Sequence, residues 1–193
     1  MVATPSTMLA LGTAAPRFQL LNVLNGELVK LDASLGKKGF LVAFVCNHCP
    51  YVLHLLDSLV SHCNQWKQLG LEIYFISSND SINYPDDSEA NMKILGVERG
   101  FDFPYLYDED QSVAKMYQAA CTPDFYLFNH KNNLIYRGQY DGSRPGNEIT
   151  PTGVDLENAV SSLLAGKAPM RTQKPSLGCN IKWIKGNEPN YFS

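Results

Sequence analysis

Phe40-Leu41-Val42-Ala43-Phe44-Val45-Cys46-Asn47-His48-Cys49-Pro50 is the run of residues on which the fold turns. Its first six residues are apolar without a break, which suits a strand covered on both faces and therefore central in a sheet. The stretch that follows, Tyr51 to Leu69, repeats its apolar residues at helical spacing. Val52, Leu55, Leu56, Leu59 and Val60 fall on one side, and Gly70 is the terminator. The spacing predicts a buried strand that delivers two thiols onto the first turn of a helix. Cysteines at i and i+3 in a helical turn have Cα atoms roughly 5 to 6 Å apart, inside the window a disulfide requires. A helix start also favours an anion, here a thiolate, through its unpaired N–H groups and its macrodipole. The pattern points to thiol–disulfide chemistry at Cys46 and Cys49.

Outward from this motif the chain alternates strand and helix. Toward the N-terminus, a strand-like run opened by Ala15-Pro16-Arg17-Phe18 and ending at Leu21, and Glu27 to Leu31, flank Asn25-Gly26, a strong hairpin turn. Toward the C-terminus, Leu71 to Ser77 is a second apolar strand, so strand, helix and strand make a parallel βαβ unit. The thiols then lie at the carboxyl end of a strand, where open α/β sheets put their active sites. Asn79 to Glu89 reads as a polar loop, Ala90 to Arg99 as a helix, Phe103 to Tyr107 as a short extended piece and Gln111 to Tyr117 as a short helix. Asp124 to Phe128 and Leu134 to Gly138 read as two more strands, and Asp155 to Leu164 as a closing amphipathic helix. Residues 1–166 are expected to form one domain. The tail, 167–193, is rich in Pro, Gly and Asn but carries Cys179, Ile181, Trp183, Ile184, Tyr191 and Phe192, too many large apolar groups for a free linker. It is expected to pack on the domain.

Composition narrows the class of function. A chain of 193 residues is long enough to bury one core. A net charge of −3 with no basic run argues against nucleic acid as a partner. Met1 to Thr13 shows neither a positive charge nor a long apolar segment, so no signal, no membrane partner and a cytoplasmic location are expected. Five cysteines in this length are too sparse for a disulfide scaffold.

The sequence resembles the thioredoxin-like superfamily over roughly Ala15 to Ala165. The resemblance is carried by Phe44-Val45-Cys46-Asn47-His48-Cys49-Pro50, by the Thr122-Pro123 step before the strand from Phe125, and by the order of elements. The N-terminal hairpin and the long insertion after Ser77 are closer to the peroxiredoxin and thiol–disulfide reductase branch than to minimal thioredoxin. The resemblance implies an α/β fold with a central mixed sheet flanked by helices, and a cis peptide at Thr122-Pro123 facing the thiols. It implies a thiol–disulfide oxidoreductase with redox-active Cys46 and Cys49, no cofactor, protein or small-molecule disulfides and thiols as partners, and a cellular reductant. In that scheme Cys46 is the exposed attacking thiol with a lowered pKa, Cys49 resolves, and oxidation joins them. His48 would modulate by stabilising the Cys46 thiolate. The sequence also departs from relatives. Val45 stands where thioredoxin has tryptophan, Phe40 stands where it has a buried carboxylate, and the peroxiredoxin signature Pro-x-x-x-Thr-x-x-Cys is absent.

Other residues leave alternatives open. Cys121 precedes Thr122-Pro123, so a third sulfur can lie near the pair. It reads as a small buried residue, as an additional redox partner, or with Cys46 and Cys49 as a site for Zn²⁺ or Cu(I). A metal-binding protein and a peroxiredoxin-like thiol peroxidase with antioxidant activity are therefore the alternative functions. Cys179 is a candidate resolving or regulatory thiol and Arg137 a candidate for stabilising an anion. Cys63 reads as structural, and His54, His62 and His130 have no partner spacing.

Overall fold

The computed structural model describes residues 3–32, 38–167 and 170–192. Residues 1 and 2 of the expected N-terminal stretch, and 168, 169 and 193 of the expected tail, lie outside the described residues.

Strand β4 (Gly39–Phe44) is buried along its whole length and sits between β5 (Glu72–Ser77), parallel to it, and β8 (Asp124–Asn129), antiparallel. Its side chains alternate between two cores, as a strand covered on both faces requires. Leu41 and Ala43 enter one; Phe40, Val42 and Phe44 enter the other. The full sheet runs β3 (Leu28–Leu31), β2 (Phe18–Asn22), β6 (Tyr105–Tyr107), β5, β4, β8, β9 (Leu134–Gly138). β2 and β3 form the expected antiparallel hairpin, and β6 joins it to the rest. The sheet is mixed, as expected.

Helices cover both faces. On the first, α1 (Pro50–Gln68) buries Val52, Leu55, Leu56, Leu59, Val60, Cys63 and Trp66, α2 (Glu89–Glu98) adds Met92, and α4 (Val154–Leu164) adds Leu156, Ala159 and Val160. The Trp66 indole N–H donates to Glu157 Oε2 at 2.7 Å, pinning α1 to α4. On the second face lie Val113 and Ala114 of α3 (Ser112–Met116), with Ile181 and Trp183 from the tail. Ile181 and Trp183 are buried there with Tyr191 packed against them, whereas Ile184 and Phe192 are exposed. Among the described residues no helix is long and apolar enough to cross a membrane.

A second, small sheet brings the two ends of the chain to the motif. Its order is β1 (Thr4–Pro5), β10 (Leu177–Asn180), β7 (Cys121–Thr122), all antiparallel. In it Gly178 faces Thr4 on one side and Cys179 faces Thr122 on the other.

The helix boundary differs from the sequence expectation. Pro50 is the first residue of α1, and Cys49 is its N-cap with φ −71° and ψ 120°. Proline is favoured at the first helical position, and its ring pushes the preceding residue out of the helical region. The two cysteines therefore do not share a helical turn. Cys46 lies in the loop leaving β4, and Cys49 closes that loop.

Candidate active site

The sheet register sets the site. Phe44 on β4 faces Asp124 on β8, so the same pairing carried two residues further brings Thr122 opposite Cys46. The Cys46 thiol and the Thr122 hydroxyl lie 3.4 Å apart, and the Thr122-Pro123 peptide is cis, as the resemblance implied. Three sulfurs converge here. Cys46, Cys49 and Cys179 are 1%, 0% and 2% exposed, and the Cys49 and Cys179 sulfurs are 2.9 Å apart. The expected exposed Cys46 is thus buried.

The charge also sits elsewhere than expected. Cys49 is held far below the ordinary thiol range, first by its hydrogen bond with Cys179, then by that with Cys46, and further by the Thr122 hydroxyl and the Val52 N–H of the first helical turn. Burial works against the charge. The Cys49 thiol also lies 3.1 Å from the Thr122 carbonyl oxygen, which accepts its S–H in the protonated form. Cys46 is pushed well above the ordinary range, chiefly because it donates to Cys49, then by burial and by the nearby Asp87 carboxylate. Cys179 is raised for the same first reason. Of the three thiols, Cys49 is the one whose surroundings favour the thiolate. Titration of the reduced protein by thiolate absorbance is therefore expected to show one thiolate at pH 6, below the ordinary thiol pKa of about 8.5. That signal should vanish in Cys49→Ser and persist in Cys63→Ala.

A carboxylate that sequence reasoning missed holds the loop between the cysteines. Asp87 is fully buried. Its Oδ1 accepts the Asn47 backbone N–H at 2.7 Å, and its Oδ2 accepts the Asn79 amide at 2.7 Å and lies 2.8 Å from His48 Nδ1. That contact raises the His48 pKa, burial opposing. The His48 ring stacks on Tyr84 with centroids 5.7 Å apart, and Tyr105 donates its hydroxyl to the Asn47 side chain at 3.0 Å. His48 thus faces Asp87 and the rim of the site. The only local signal for Asp87 is its place in Pro85-Asp86-Asp87-Ser88, ahead of α2.

Cys121 is buried with its thiol 3.7 Å from the Pro123 carbonyl, and burial raises its pKa before the charges of Asp124 and Cys49 do. The sulfur that touches the pair belongs to Cys179. Two thiolates on one zinc ion stand roughly 3.8 Å apart, given bonds of about 2.3 Å. The Cys49–Cys179 separation of 2.9 Å is shorter than that. Donor atoms of Cys46, His48 and Asp87 lie within 4.8 Å of one another, but the Asp87 oxygens are already engaged by Asn47, Asn79 and His48. Arg137 spends its donors on the Leu9 carbonyl and Gln173, joining the N-terminal segment to the tail. Cys63 is buried in the α1 core, as expected. His62 contacts the Tyr140 hydroxyl at 2.7 Å.

Comparison with known proteins places this geometry. The model of the AhpC/TSA family matches residues 11–137. The structure of an uncharacterized conserved protein from Geobacillus kaustophilus is 47% identical, covering 95% of this chain and 97% of its own, with a TM-score of 0.93. A hypothetical protein from Sinorhizobium meliloti is 42% identical over 95% of this chain and 100% of its own, with a TM-score of 0.92. The thioredoxin domain of a thiol-disulfide oxidoreductase from Bacteroides vulgatus is 21% identical over 79% of this chain and 99% of its own, with a TM-score of 0.59. At that identity the likeness is one of fold, and the fold is thioredoxin-like. No curated protein matches the sequence.

Proposed function

The chain belongs to the AhpC/TSA family, and from that premise we propose that it is a thiol–disulfide oxidoreductase whose working pair is Cys46 and Cys49. The observation that carries the reading is the placement of both thiols at the end of the central strand against the cis Thr122-Pro123 step, with the Cys46 thiol 3.4 Å from the Thr122 hydroxyl and the Cys49 thiol 3.1 Å from the Thr122 carbonyl oxygen.

The chemistry follows from where the proton is. In the resting reduced site Cys46 is a thiol and Cys49 a thiolate. Transfer of the Cys46 proton to Cys49 leaves a Cys46 thiolate that attacks one sulfur of a substrate disulfide; a Cys46–substrate bond forms and the other substrate sulfur leaves as a thiolate. The leaving thiolate takes the proton back from Cys49. Cys49, again a thiolate, attacks the Cys46 sulfur, forms the Cys46–Cys49 disulfide and expels the second substrate thiolate. Two electrons pass from the protein to the substrate. A dithiol reductant reverses the sequence and restores the protein.

Thr122 and the Asn47-His48 loop position these steps. The Thr122 hydroxyl reaches both sulfurs, so it can follow the charge from Cys49 to Cys46. Asp87 fixes the loop through the Asn47 N–H and orients His48 at its rim.

The test is turnover. Protein driven by dithiothreitol is expected to accelerate reduction of a model protein disulfide, and Cys46→Ala is expected to reduce that rate to background. Wild-type protein that leaves the disulfide reduction at the uncatalysed rate would sink the reading. Consumption of hydrogen peroxide with sulfenate trapped at Cys46 would replace it with a peroxidase.

A further inference from the structure

The C-terminal strand does more than cover the site. β10 pairs with β7 so that Cys179 stands opposite Thr122, the residue whose hydroxyl contacts Cys46. Its backbone lies flush on the cis-proline step: a Cβ on Gly178 would meet the Thr122 carbonyl oxygen at 2.0 Å and its carbon at 2.6 Å. Glycine is what permits that approach. Beyond it the tail is tied down by the Ile181 N–H on the Ala120 carbonyl at 3.1 Å and the Lys182 N–H on the Asn79 side chain at 2.8 Å. Asn79 also donates to Asp87, so one residue links the tail to the motif loop. β10 also packs against α1, the helix that Cys49 caps. This placement brings the Cys179 sulfur to 2.9 Å from that of Cys49.

We propose that Cys179 is the third redox thiol of this site and that oxidation ends in a Cys49–Cys179 disulfide. The inference rests on the exchange reading above and extends it. Once substrate has left a Cys46–Cys49 disulfide, the Cys179 sulfur gives up its proton and attacks the Cys49 sulfur. The Cys49–Cys179 bond forms, the Cys46–Cys49 bond breaks, and Cys46 leaves as a thiolate that takes up a proton. No electrons enter or leave, and no outside oxidant is needed for this step. Forming the new bond draws the two sulfurs together by less than about 1 Å, given a disulfide length of about 2.05 Å.

Two consequences distinguish this scheme from a two-cysteine cycle. Oxidation locks the tail covalently onto the start of α1, and it returns Cys46 to the thiol state. The oxidised protein thus keeps a reactive thiol beside Thr122 while its disulfide lies beneath the tail. Substrates are met at Cys46, and the reductant must reach a disulfide that the tail itself helps to form.

Disulfide mapping decides the matter. The full chain is oxidised with one equivalent of diamide, the remaining thiols are blocked with N-ethylmaleimide in acid, and tryptic peptides are read without reduction. Cys46, Cys49 and Cys63 fall in residues 39–67 and Cys179 in 172–182. The expected major oxidised species joins these two peptides, with fragmentation placing the bond at Cys49, in wild-type protein and again in Cys46→Ala. A bond confined to 39–67 in the wild type would overturn the role of Cys179 and leave the exchange reading standing. An absence of any disulfide would overturn both. The wild-type result needs no variant to fold, and Cys179→Ser is expected to lose the cross-peptide bond and gain the Cys46–Cys49 bond as its end state.

Discussion

Cys49→Ser is expected to convert the protein from a catalyst into a trap. Without the Cys49 thiolate there is no base to draw the proton from Cys46 and no nucleophile 3 residues away to expel bound substrate. Turnover should fall to background, while the slow reaction that remains at Cys46 should accumulate as a stable mixed disulfide. Intact mass measured after incubation with oxidised glutathione checks this, a gain of one glutathionyl group being the expected result. Rapid release of that adduct in Cys49→Ser would show that another group resolves it, and that Cys49 is dispensable. Cys46→Ala should differ in kind, losing turnover without forming the adduct at the motif.

Asp87→Ala is expected to be the most destabilising single change at the site. The carboxylate is fully buried and satisfies the Asn47 N–H, the Asn79 amide and His48. Removing it leaves the Asn47 and Asn79 donors without an acceptor and His48 without its charge partner, at a cost of about 3 kcal/mol or more. Urea denaturation should show the loss as a lowered midpoint with little change in slope. The effect also depends on pH. The His48 pKa is raised in the folded protein, first by its hydrogen bond with Asp87. Its stabilising contribution is therefore complete below the unfolded histidine value of about 6.5 and is lost as pH rises through the raised folded value. The difference between wild type and Asp87→Ala should narrow toward alkaline pH but not close, since the Asn47 and Asn79 donors do not titrate there. A difference that widens as pH rises would show that His48 is not the coupled group.

Periodicity made the frame of the fold readable. The unbroken apolar run from Phe40 and the helical spacing from Val52 to Val60 each have one physical solution in a sheet covered on both faces, and the structure adopts it. The cis Thr122-Pro123 step came from the resemblance to the thioredoxin-like superfamily, and the structure has it. The helix start differs from the expectation because the proline, not the thiol spacing, sets it. Pro50 belongs to the helix, and the residue before a proline is pushed away from helical geometry, so Cys49 had to be the cap.

The remaining pieces of the site are not local. Asp87 lies 40 residues from Asn47 in the chain, and Cys179 lies 130 from Cys49. Nothing in the composition around Pro85-Asp86-Asp87 or Leu177-Gly178-Cys179 reveals which loop each will meet. Their arrival is decided by the sheet register, which turns the chain at Thr122 and lays the tail beside it. The burial of Cys46 follows from the same event. A motif read alone has a free edge, whereas here β10 occupies the place next to β7.

The tail is itself held on its far edge. β1, from the other end of the chain, pairs with β10 at Thr4 and Pro5, and the Ser6 N–H donates to the Ser176 carbonyl at 3.0 Å. Exposure of Cys49 therefore requires β10 to part from one short ladder or two, a local opening far smaller than global unfolding. The hydrogen-exchange rate of the β10 amides and the alkylation rate of Cys49 then report the same fluctuation. Trimming the first few residues would raise both together without touching a single atom of the thiol cluster.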